Sequence, residues 1–473
     1  MTDFSRKLIA ATRTDGLGGR LMAMVNAKYL ADNMGCRFGF TWNSQDVDDK
    51  EFHTADFVEK IFSPDFIDRH WLGEKIDLAD FAVLGKAKFA RSSLEAEAGR
   101  TGSQGWICND FRVLKLFRQG WAKSWLPGNT PARWRSETFR TLGFSEAVQA
   151  AFDAAGRCQF SRPMATLHLR SGDIVHGRFR STLVFSDKVI PSTLARAIVS
   201  ELSSNGLATL LVGQDRATLE YLKAETGALM VDDFGASQFE DQTVRTFFEM
   251  ALMARCRQIY AGSSVFASIA SVMGGNACVK TKALFTKRRA AEIILQELKA
   301  HQPDYHPFEA AFGYRAAFLN LEGKISTARA REILEKAAAL DPENHALALK
   351  MAAIYFREGN YPSGEAILKP LMTSQFQTRL KTPLPMFKTL TGKTRRGHTM
   401  EKDFGHFFAA AKAGYPYAAA CSAYIHAGLG ETKPALAMAA ISRKAEPANE
   451  LFQEIELAAR HGATSGPKAH FSL

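Results

Sequence analysis

Cysteine is scarce in this sequence and shows no pairing pattern. Six cysteines are scattered over 473 residues without a CxxC spacing. Zinc knuckles and disulfide frameworks are recognised by closely spaced cysteines, so neither is expected here. We interpret the six as buried thiols of a protein in the reducing cytoplasm.

Long apolar runs are also missing. No window offers the roughly 18 uninterrupted apolar residues of a transmembrane helix, and the N-terminal sequence MTDFSRKLIAATRTDG reaches charged side chains at once. The sequence therefore predicts neither a membrane span nor a secretory signal. We expect a cytoplasmic protein with at most peripheral membrane contact.

Charge of one sign is only slightly in excess. Lysine and arginine number 60 against 49 aspartates and glutamates, a net charge of +11. This surplus suits an anionic partner such as a sugar nucleotide or a phospholipid surface, and we expect no nucleic acid partner. With 46% hydrophobic residues the chain is a folded protein, and its length predicts about three domains.

Short apolar runs alternate with amphipathic stretches through the first two thirds of the chain, which is typical of α/β proteins. Residues 8–13 and 36–42 predict strands, with a helix between them that ends at Gly35. A second cycle has predicted strands at 164–170, 208–213, 228–233 and 258–262. Such units build a parallel sheet that binds its ligands at the carboxyl ends of the strands.

The last third is rich in alanine and contains no convincing strand. Pro342 and Pro447, in the similar segments KAAALDPEN and SRKAEPAN, are 105 residues apart, about three times the ~34-residue tetratricopeptide period. We predict helix-turn-helix pairs at 308–341, 342–375 and 413–446, interrupted by the basic residues 376–400. The predicted domains are an N-terminal α/β domain (1–155), a second α/β domain (156–304) and a tetratricopeptide-like helical region (305–473).

A glycine-rich turn joins the first strand to the first helix. Gly16, Gly18 and Gly19 lie in the segment TDGLGGR, which ends at Arg20. Glycines let backbone N–H groups approach an anion at a helix N-terminus. Alternatively, the turn only needs residues that tolerate a positive φ angle.

The segment HLRSGD closes the first strand of the second cycle. Alternation along a strand places His168 and Arg170 on the same side. The planar guanidinium of Arg170 can grip a diphosphate, and Asp173 can accept hydrogen bonds from a sugar or hold the arginine. Alternatively, the motif has a purely structural role, in which His168 is a buried histidine and Arg170 and Asp173 form an ion pair.

Two serines, Ser263 and Ser264, follow the predicted strand QIYAG and open a helix. Their hydroxyls and the N–H groups of the first helical turn form an anion cradle. An ordinary helix N-cap is the alternative.

Together, the glycine turn, HLRSGD, VGQD and FFEMALMARCRQIYAGSSVFASIASVMGG resemble the GDP-fucose-dependent fucosyltransferases. That family includes α-1,2-, α-1,6- and protein O-fucosyltransferases and the rhizobial nodulation enzyme. The resemblance covers roughly residues 8–280 and leaves out the helical region. It implies two Rossmann-like domains of GT-B type, with the acceptor on the first and the donor on the second. It also implies inversion at the anomeric carbon, no metal and no cofactor.

The resemblance assigns roles to individual residues. It implies that Arg170 binds the donor pyrophosphate, that His168 lies against the nucleotide and that Glu249 faces the guanine edge. The other donor-binding positions that it implies are Asp215, Ser263, Ser264, Gly16, Gly18 and Arg20. Gly19 stands where the family usually has asparagine.

The motifs do not identify the base that takes the proton of the acceptor hydroxyl. Carboxylates that qualify by residue type are Asp15, Asp46, Asp48 and Asp173, and a donor phosphate can serve instead. We take Arg170 and Asp173 as the predicted catalytic residues.

No metal site of the DxD type is expected. The two adjacent aspartate pairs, Asp48–Asp49 and Asp232–Asp233, are typical of solvated turns. The resemblance and the residue pattern therefore agree on a metal-free transfer.

Two other functions stay open at this point. The same fold can use another nucleotide sugar, or the α/β part can be a degenerate module in a tetratricopeptide adaptor. The acceptor is a glycan or a protein, and helical repeats also present a groove for a protein partner or for self-association. The basic insert has two interpretations, a segment that contacts an anionic membrane and a solvated charged loop. It contains Arg379, Lys381, Lys388, Lys393, Arg395 and Arg396.

Overall fold

Most of the chain is described by a computed structural model, which covers residues 4–44, 56–84, 91–109, 131–378, 384–394 and 397–461. The described residues pack into two units. The first unit holds those within Met1–Arg170 and Ile198–Ala283, and the second those within Ser171–Ala197 and Leu284–Phe471.

Four parallel strands form the first sheet. They are β1 (Leu8–Ala11), β2 (Arg37–Phe40), β3 (Phe81–Leu84) and β4 (Gly105–Cys108), in the order β2-β1-β4-β3. The central strand β1 has the apolar sequence LIAA and is buried along its whole length, as expected for a strand with both faces covered.

Five parallel strands form the second sheet. They are β5 (Met164–Leu169), β6 (Ala208–Gly213), β7 (Leu229–Met230), β8 (Gln258–Ala261) and β9 (Ala277–Val279), in the order β7-β6-β5-β8-β9. The predicted α/β class with parallel sheets is therefore confirmed. The strand β9 was not predicted, and its three residues are too few to show a pattern.

Helices connect these strands. In chain order they are α1 (Leu17–Met34), α2 (Val58–Ile61), α3 (Pro64–His70), α4 (Arg91–Gly99), α5 (Pro131–Arg140), α6 (Glu146–Arg157), α7 (Gly172–Val175), α8 (Ala195–Ser204), α9 (Arg216–Thr226), α10 (Gln242–Ala254) and α11 (Val265–Gly274). The first of them ends at Gly35, whose φ of 69° is left-handed, as the sequence predicted.

The strand predicted over residues 228–233 is wrong beyond Met230. Only Leu229–Met230 pairs with β6, and a short 3₁₀ helix, Val231–Phe234, follows. The carboxylate of Asp233 accepts a hydrogen bond from the backbone N–H of Met230 at 2.8 Å. A local side chain thus satisfies a backbone donor and favours a turn over a longer strand.

Aromatic side chains link the two sheets within the first unit. Phe40 of β2 packs against Phe62, Phe62 against Phe144, and Phe144 against Phe247 of α10, with ring centroids 5.2, 5.7 and 5.6 Å apart. Phe40, Phe62 and Phe247 are fully buried. This continuous apolar contact explains why both sheets belong to one unit.

The second unit is helical. Its helices beyond residue 284 are α12 (Lys287–His301), α13 (Pro307–Leu321), α14 (Thr327–Leu340), α15 (His345–Arg357), α16 (Tyr361–Thr378), α17 (Pro385–Leu390), α18 (Glu401–Lys412), α19 (Pro416–Gly428), α20 (Thr432–Ala445) and α21 (Glu450–His461). The predicted pairs at 308–341, 342–375 and 413–446 are confirmed as α13–α14, α15–α16 and α19–α20. None of the described helices combines the length and hydropathy needed to cross a bilayer.

Two features of this unit were not predicted. A small antiparallel pair, β10 (Lys393–Thr394) and β11 (Gly397–His398), lies in the region where no strand was expected. The internal segment Ser171–Ala197 packs with the helices, so the two units differ from the predicted ranges 1–155, 156–304 and 305–473. That the three predicted ranges fold as separate domains stays a prediction.

Gly105 allows β4 to pair closely with β1. Its φ is 134°, and a Cβ there would overlap the carbonyl oxygen of Leu8. We expect Gly105→Ala to lower the free energy of unfolding by about 3 kcal/mol or more, because it adds backbone strain to a clash. Urea denaturation measures this loss. Gly156→Ala is the control, since nothing lies within 4 Å of a Cβ at that site; equal stability of both variants would contradict the described pairing.

Candidate functional site

The carboxyl edge of the second sheet is where its strand order reverses. The chain runs from β5 to β6 on one side, and β8 pairs with the other side of β5. In parallel α/β sheets such a reversal leaves a crevice that binds ligands. His168 is in register with Ala261. Arg170 and Ser263 each follow two residues later, at the ends of neighbouring strands.

His168 lies near the carboxyl end of β5, at this edge of the sheet. The residue is 6% exposed, and its ring packs against Phe266 with 5.6 Å between the centroids. Burial, and then the charge of Arg170, lower the pKa of His168 to about 3. Its Nδ1 is buried and has no hydrogen-bond partner among the described residues. A neutral ring nitrogen can donate or accept one hydrogen bond, depending on the tautomer.

The two predicted serines differ in their surroundings. Ser264 is fully buried and accepts a hydrogen bond from the N–H of Ala267 at 3.4 Å, which makes it the N-cap of α11. Ser263 is exposed. The ammonium of Lys280 donates to the Ser263 hydroxyl at 3.4 Å and also to the carbonyl of Gly262. A cation therefore accompanies Ser263 at the end of β8.

Lys280 was missed by the sequence analysis. It directly follows β9, which pairs with β8. It adds a positive charge to the edge that also carries Arg170. The available signal was the short apolar run in NACVK, which can be interpreted as one more parallel strand ending in a lysine.

The glycine turn meets the start of α11. A Cβ at Gly18 would lie 3.0 Å from the Cα and the backbone N of Phe266, so glycine permits a backbone approach that other residues would prevent. The carbonyl of Gly16 accepts hydrogen bonds from the N–H groups of Gly19 and Arg20 at 2.9 and 3.3 Å. The structure thus brings together two predicted anion cradles.

Arg20 is buried inside the turn, with only 1% of its surface exposed. Its guanidinium donates to the backbone carbonyls of Asp15, Asn43 and Thr14 at 2.6, 2.6 and 3.1 Å. Burial lowers the pKa of Arg20 to about 10, and the charge of Asp15 opposes this shift. These contacts hold the turn in shape.

Asp15 forms an ion pair with Arg13, whose Nε donates to Oδ1 at 2.6 Å. A Cβ at Gly19 would overlap the Asp15 carboxylate, so the glycine leaves room for this pair. Arg13 also donates to the carbonyl of Asn109 at 2.7 Å. The pair therefore connects the ends of β1 and β4, between which the order of the first sheet reverses.

Two more predicted carboxylates lie on helices of the first unit. Asp215 is the N-cap of α9 and accepts from the N–H and the hydroxyl of Thr218 at 3.2 and 2.6 Å. Glu249 lies on α10, where Arg245 donates to it at 3.3 Å and to Asp232 at 2.9 Å. Burial raises the pKa of Glu249 to about 7, and the neighbouring Arg245 opposes the rise.

Asp232 and Asp233 lie in the 3₁₀ turn Val231–Phe234, where Asp233 is exposed as predicted and Asp232 is half-buried. Asp232 forms ion pairs with Arg216 and Arg245, and Asp233 forms one with Lys223. The two carboxylates thus serve different cations, which no local sequence pattern indicates.

The remaining predicted residues lie elsewhere. Asp173 belongs to the second unit, where it is 3% exposed in the first turn of α7. Lys388 on α17 is exposed, as is Lys393 on β10. Seven predicted residues lie outside the described part of the chain: Asp46, Asp48, Asp49, Arg379, Lys381, Arg395 and Arg396.

Comparison with known proteins identifies the repeats. Residues 326–382 match the family model of the tetratricopeptide repeat. The matched segment begins at the N-cap of α14 and includes α15 and α16, which confirms the predicted repeat type there. No curated protein matches the chain.

Solved structures similar to this chain are fucosyltransferases, the family that the motifs resemble. The fucosyltransferase NodZ from Bradyrhizobium is 12% identical with a TM-score of 0.34, over 56% of this chain and 91% of its own. NodZ α-1,6-fucosyltransferase soaked with GDP-fucose is 12% identical with a TM-score of 0.34, over 57% and 92%. POFUT1 in complex with GDP is 11% identical with a TM-score of 0.31, over 59% and 98%.

The raised pKa of Glu249 predicts a pH effect on stability. Its value of about 7 in the folded protein exceeds the ordinary 4.5, so the native state holds the proton more tightly than the unfolded state. Stability should therefore fall as the pH rises from about 5 to about 8, and Glu249→Gln should lose this part of the profile. Urea unfolding across that range measures the effect.

The control for this prediction is Glu220→Gln. It removes an exposed carboxylate that pairs with Arg216, which also bonds Asp232. The control should keep the wild-type pH profile. A Glu249→Gln profile identical to that of the wild type would contradict the assignment.

Proposed function

We propose that this protein is a glycosyltransferase that binds GDP-fucose, or a related GDP-sugar, at the carboxyl edge of the second sheet. The register of β5 and β8 carries the proposal, because it brings Arg170 to the edge where Ser263 and Lys280 lie. Two cations and the N-terminus of α11 share the place where a parallel sheet binds its ligand. A pyrophosphate has the charge that suits such an edge.

Departure of a nucleoside diphosphate creates negative charge as its bond to the sugar breaks. The planar fork of Arg170 matches two phosphate oxygens, and Lys280 offers a compact ammonium. The N–H groups that open α11 add fixed dipoles. Because these groups are held in place by the fold, they can meet the developing charge without a metal ion.

Three residues suit the nucleoside half of the donor. The neutral ring of His168 has a buried Nδ1 for one hydrogen bond. When ionised, Glu249 can accept from the adjacent N1–H and N2–H donors of guanine, which uracil lacks. Asp215, after β6, supplies a third polar group near the same edge.

The proposed reaction inverts the anomeric carbon of the donor. The acceptor oxygen bonds to this carbon while the bond to the β-phosphate oxygen breaks, and GDP leaves with the electron pair. The acceptor proton passes to a carboxylate or to a donor phosphate. Asp173 and Asp15 are the described carboxylates that we propose as the proton acceptor. We also propose that the fold is of GT-B type, in which one domain binds the acceptor and the other binds the donor.

The tetratricopeptide match supports a protein partner. Such repeats stack into surfaces that bind peptides and proteins, so we propose a protein partner or a protein acceptor, with a glycan as the other acceptor class. We also propose a cytoplasmic location, which the six free cysteines support. The same match favours one alternative function, an adaptor whose α/β part no longer catalyses transfer.

Isothermal titration of the full chain with GDP tests the proposal. We expect heat from GDP and weaker binding of UDP, since Glu249 recognises guanine. Equal binding of both would indicate another nucleotide sugar. If neither GDP nor UDP gives heat, the proposed transferase fails and the adaptor becomes the favoured function.

Arg170→Lys tests the residue at the end of β5. An ammonium cannot form the planar fork, so we expect GDP affinity to fall at least about tenfold with little change in stability. The matched control is Arg216→Lys, since the Arg216 side chain is 63% exposed and pairs with Glu220. Unchanged GDP affinity in the Arg170 variant would remove this residue from the site.

Metal independence is a separate prediction. Because Arg170, Lys280 and the N-terminus of α11 supply positive charge, transfer from GDP-fucose should continue in EDTA at an unchanged rate. Release of GDP measures the reaction. Complete loss of activity, restored by manganese, would show that a metal ion takes part.

A further inference from the structure

An internal segment of the second unit lies against the helical repeats as a bound peptide would. The segment is Ser171–Ala197, which packs in the same unit as the helices. Glu309 on α13 is 2% exposed and holds the segment near both ends. It accepts from the Ser192 hydroxyl at 2.8 Å and lies 3.3 Å from Nε2 of His176. Between these two ends, the stretch Arg180–Leu183 contacts the repeats.

The side chain of Arg180 meets an acidic pair at the turn between α14 and α15. Its Nε lies 3.3 Å from Oδ1 of Asp341, and its Nη2 donates to Oε2 of Glu343 at 2.6 Å. The guanidinium also lies over the ring of Phe308 on α13, 5.0 Å from the ring centroid. Because the buried carboxylate of Asp341 is unfavourable unless it is paired, this turn selects a basic residue.

The main chain of the stretch is bound as well. The carbonyl of Arg180 accepts from Nδ2 of Asn344 at 3.3 Å and from Nη1 of Arg315. The carbonyl of Ser181 accepts from the hydroxyl of Thr389 on α17 at 3.1 Å. Side chains of the helical unit therefore bond to two consecutive carbonyls. Main-chain bonds of this kind give a peptide site its affinity, while sites for side chains give its specificity.

Leu183 adds an apolar contact. It is 7% exposed and belongs to the hydrophobic core of the helices, together with Leu349 of α15 and Phe387 of α17. Burying a leucine side chain is strongly favourable. The repeats thus provide an acidic turn for an arginine, donors for two carbonyls and an apolar site for a leucine three positions later.

The stretch leaves part of this surface unused. Arg315 on α13 is 3% exposed, and its Nε and Nη2 have no hydrogen-bond partner among the described residues. Burial lowers the pKa of Arg315 to about 10, and the charge of Asp341 opposes this shift. A buried donor without a partner is unfavourable. An occupant with further acceptor oxygens would bond to these N–H groups, so the chain's own stretch can be displaced.

We propose that this face of the repeats is a peptide-binding surface, which the chain's own stretch Arg180–Leu183 occupies until a protein partner displaces it. The partner carries an arginine followed three residues later by a leucine. The residues that form the surface are Arg315, Asp341, Glu343, Asn344 and Thr389. The inference rests on the protein partner of the proposed function and requires no nucleotide.

Fluorescence anisotropy with a labelled peptide of residues 178–188 tests the surface in the full chain. Arg180→Glu places a third carboxylate beside Asp341 and Glu343, and the repulsion should release the internal stretch. We expect the peptide to bind this variant at least about tenfold more tightly than the wild type, because an occupied site lowers the apparent affinity in proportion to its open fraction.

Limited digestion with trypsin measures release of the stretch. Cleavage after Arg178 and Lys188, identified by mass spectrometry, should be faster in Arg180→Glu than in the wild type. Leu183→Ala removes the apolar contact instead and should change both readouts in the same direction. Each of these two variants covers the case in which the other fails to fold.

A charge exchange tests the pairing directly. The side chain of Glu343 is 82% exposed, so Glu343→Arg should not disturb the fold. Combined with Arg180→Glu, it restores an ion pair of reversed direction. The double variant should bring peptide affinity and trypsin cleavage back towards the wild-type values.

Arg331→Glu is the matched control. Arg331 lies on α14 of the same unit and pairs with two carboxylates, Glu335 at 3.7 Å and Glu358 at 2.7 Å. This variant loses comparable ion pairs, and it should leave peptide affinity and trypsin cleavage at the wild-type values. A peptide that carries both Arg180→Glu and Leu183→Ala measures non-specific binding and should not bind to any variant.

The other outcomes overturn the inference. It fails if the peptide binds the wild type and both release variants equally, or binds none of them. Unchanged cleavage in both release variants would show that Arg180 and Leu183 do not hold the stretch. Equal effects of Arg331→Glu would indicate a general loss of stability. Titration with GDP reads the transferase separately, so failure of the peptide surface and failure of the nucleotide site are distinguishable.

Discussion

The position of β5 between β6 and β8 is the constraint on which the candidate site depends. Parallel strands end at the same edge, and the register of His168 with Ala261 aligns the residues that follow. Arg170 and Ser263 therefore reach one edge although nearly a hundred positions separate them in the sequence. Lys280 joins them because β9 is the next strand after β8.

Close backbone packing adds the glycine turn to the same unit. Gly18 lies against the backbone of Phe266, and Arg20 keeps the turn in shape through three carbonyls. The buried aromatic contacts from Phe40 to Phe247 join the two sheets into a single core. Burying a guanidinium is costly unless its N–H groups are hydrogen-bonded, so the three carbonyls that accept from Arg20 indicate how strongly this turn is specified.

Much of this architecture was predictable from local patterns. The helix that ends at Gly35 and the three helix pairs of the repeats agree with the structure, because periodicity and caps depend on residues within a few positions. The placement of HLRSGD and of Ser263 at strand ends also followed from pattern alone. The strand predicted past Met230 was wrong because one side chain, Asp233, satisfied a backbone donor.

The sequence by itself thus determined the first helix, the repeat pairs and the strands β1, β2, β5, β6 and β8, together with the parallel α/β class and the repeat type. It did not indicate the strands β3, β4 and β9 or the pair β10–β11. Only the tertiary structure decided which residues meet. Glu309 and His176 are 133 positions apart, and Lys280 contacts Ser263 through the order of the strands. Such contacts depend on how whole elements pack, and a polar residue shows no local periodicity that would reveal its distant partner. The assignment of Ser171–Ala197 to the helical unit therefore emerges from packing and buried hydrogen bonds alone.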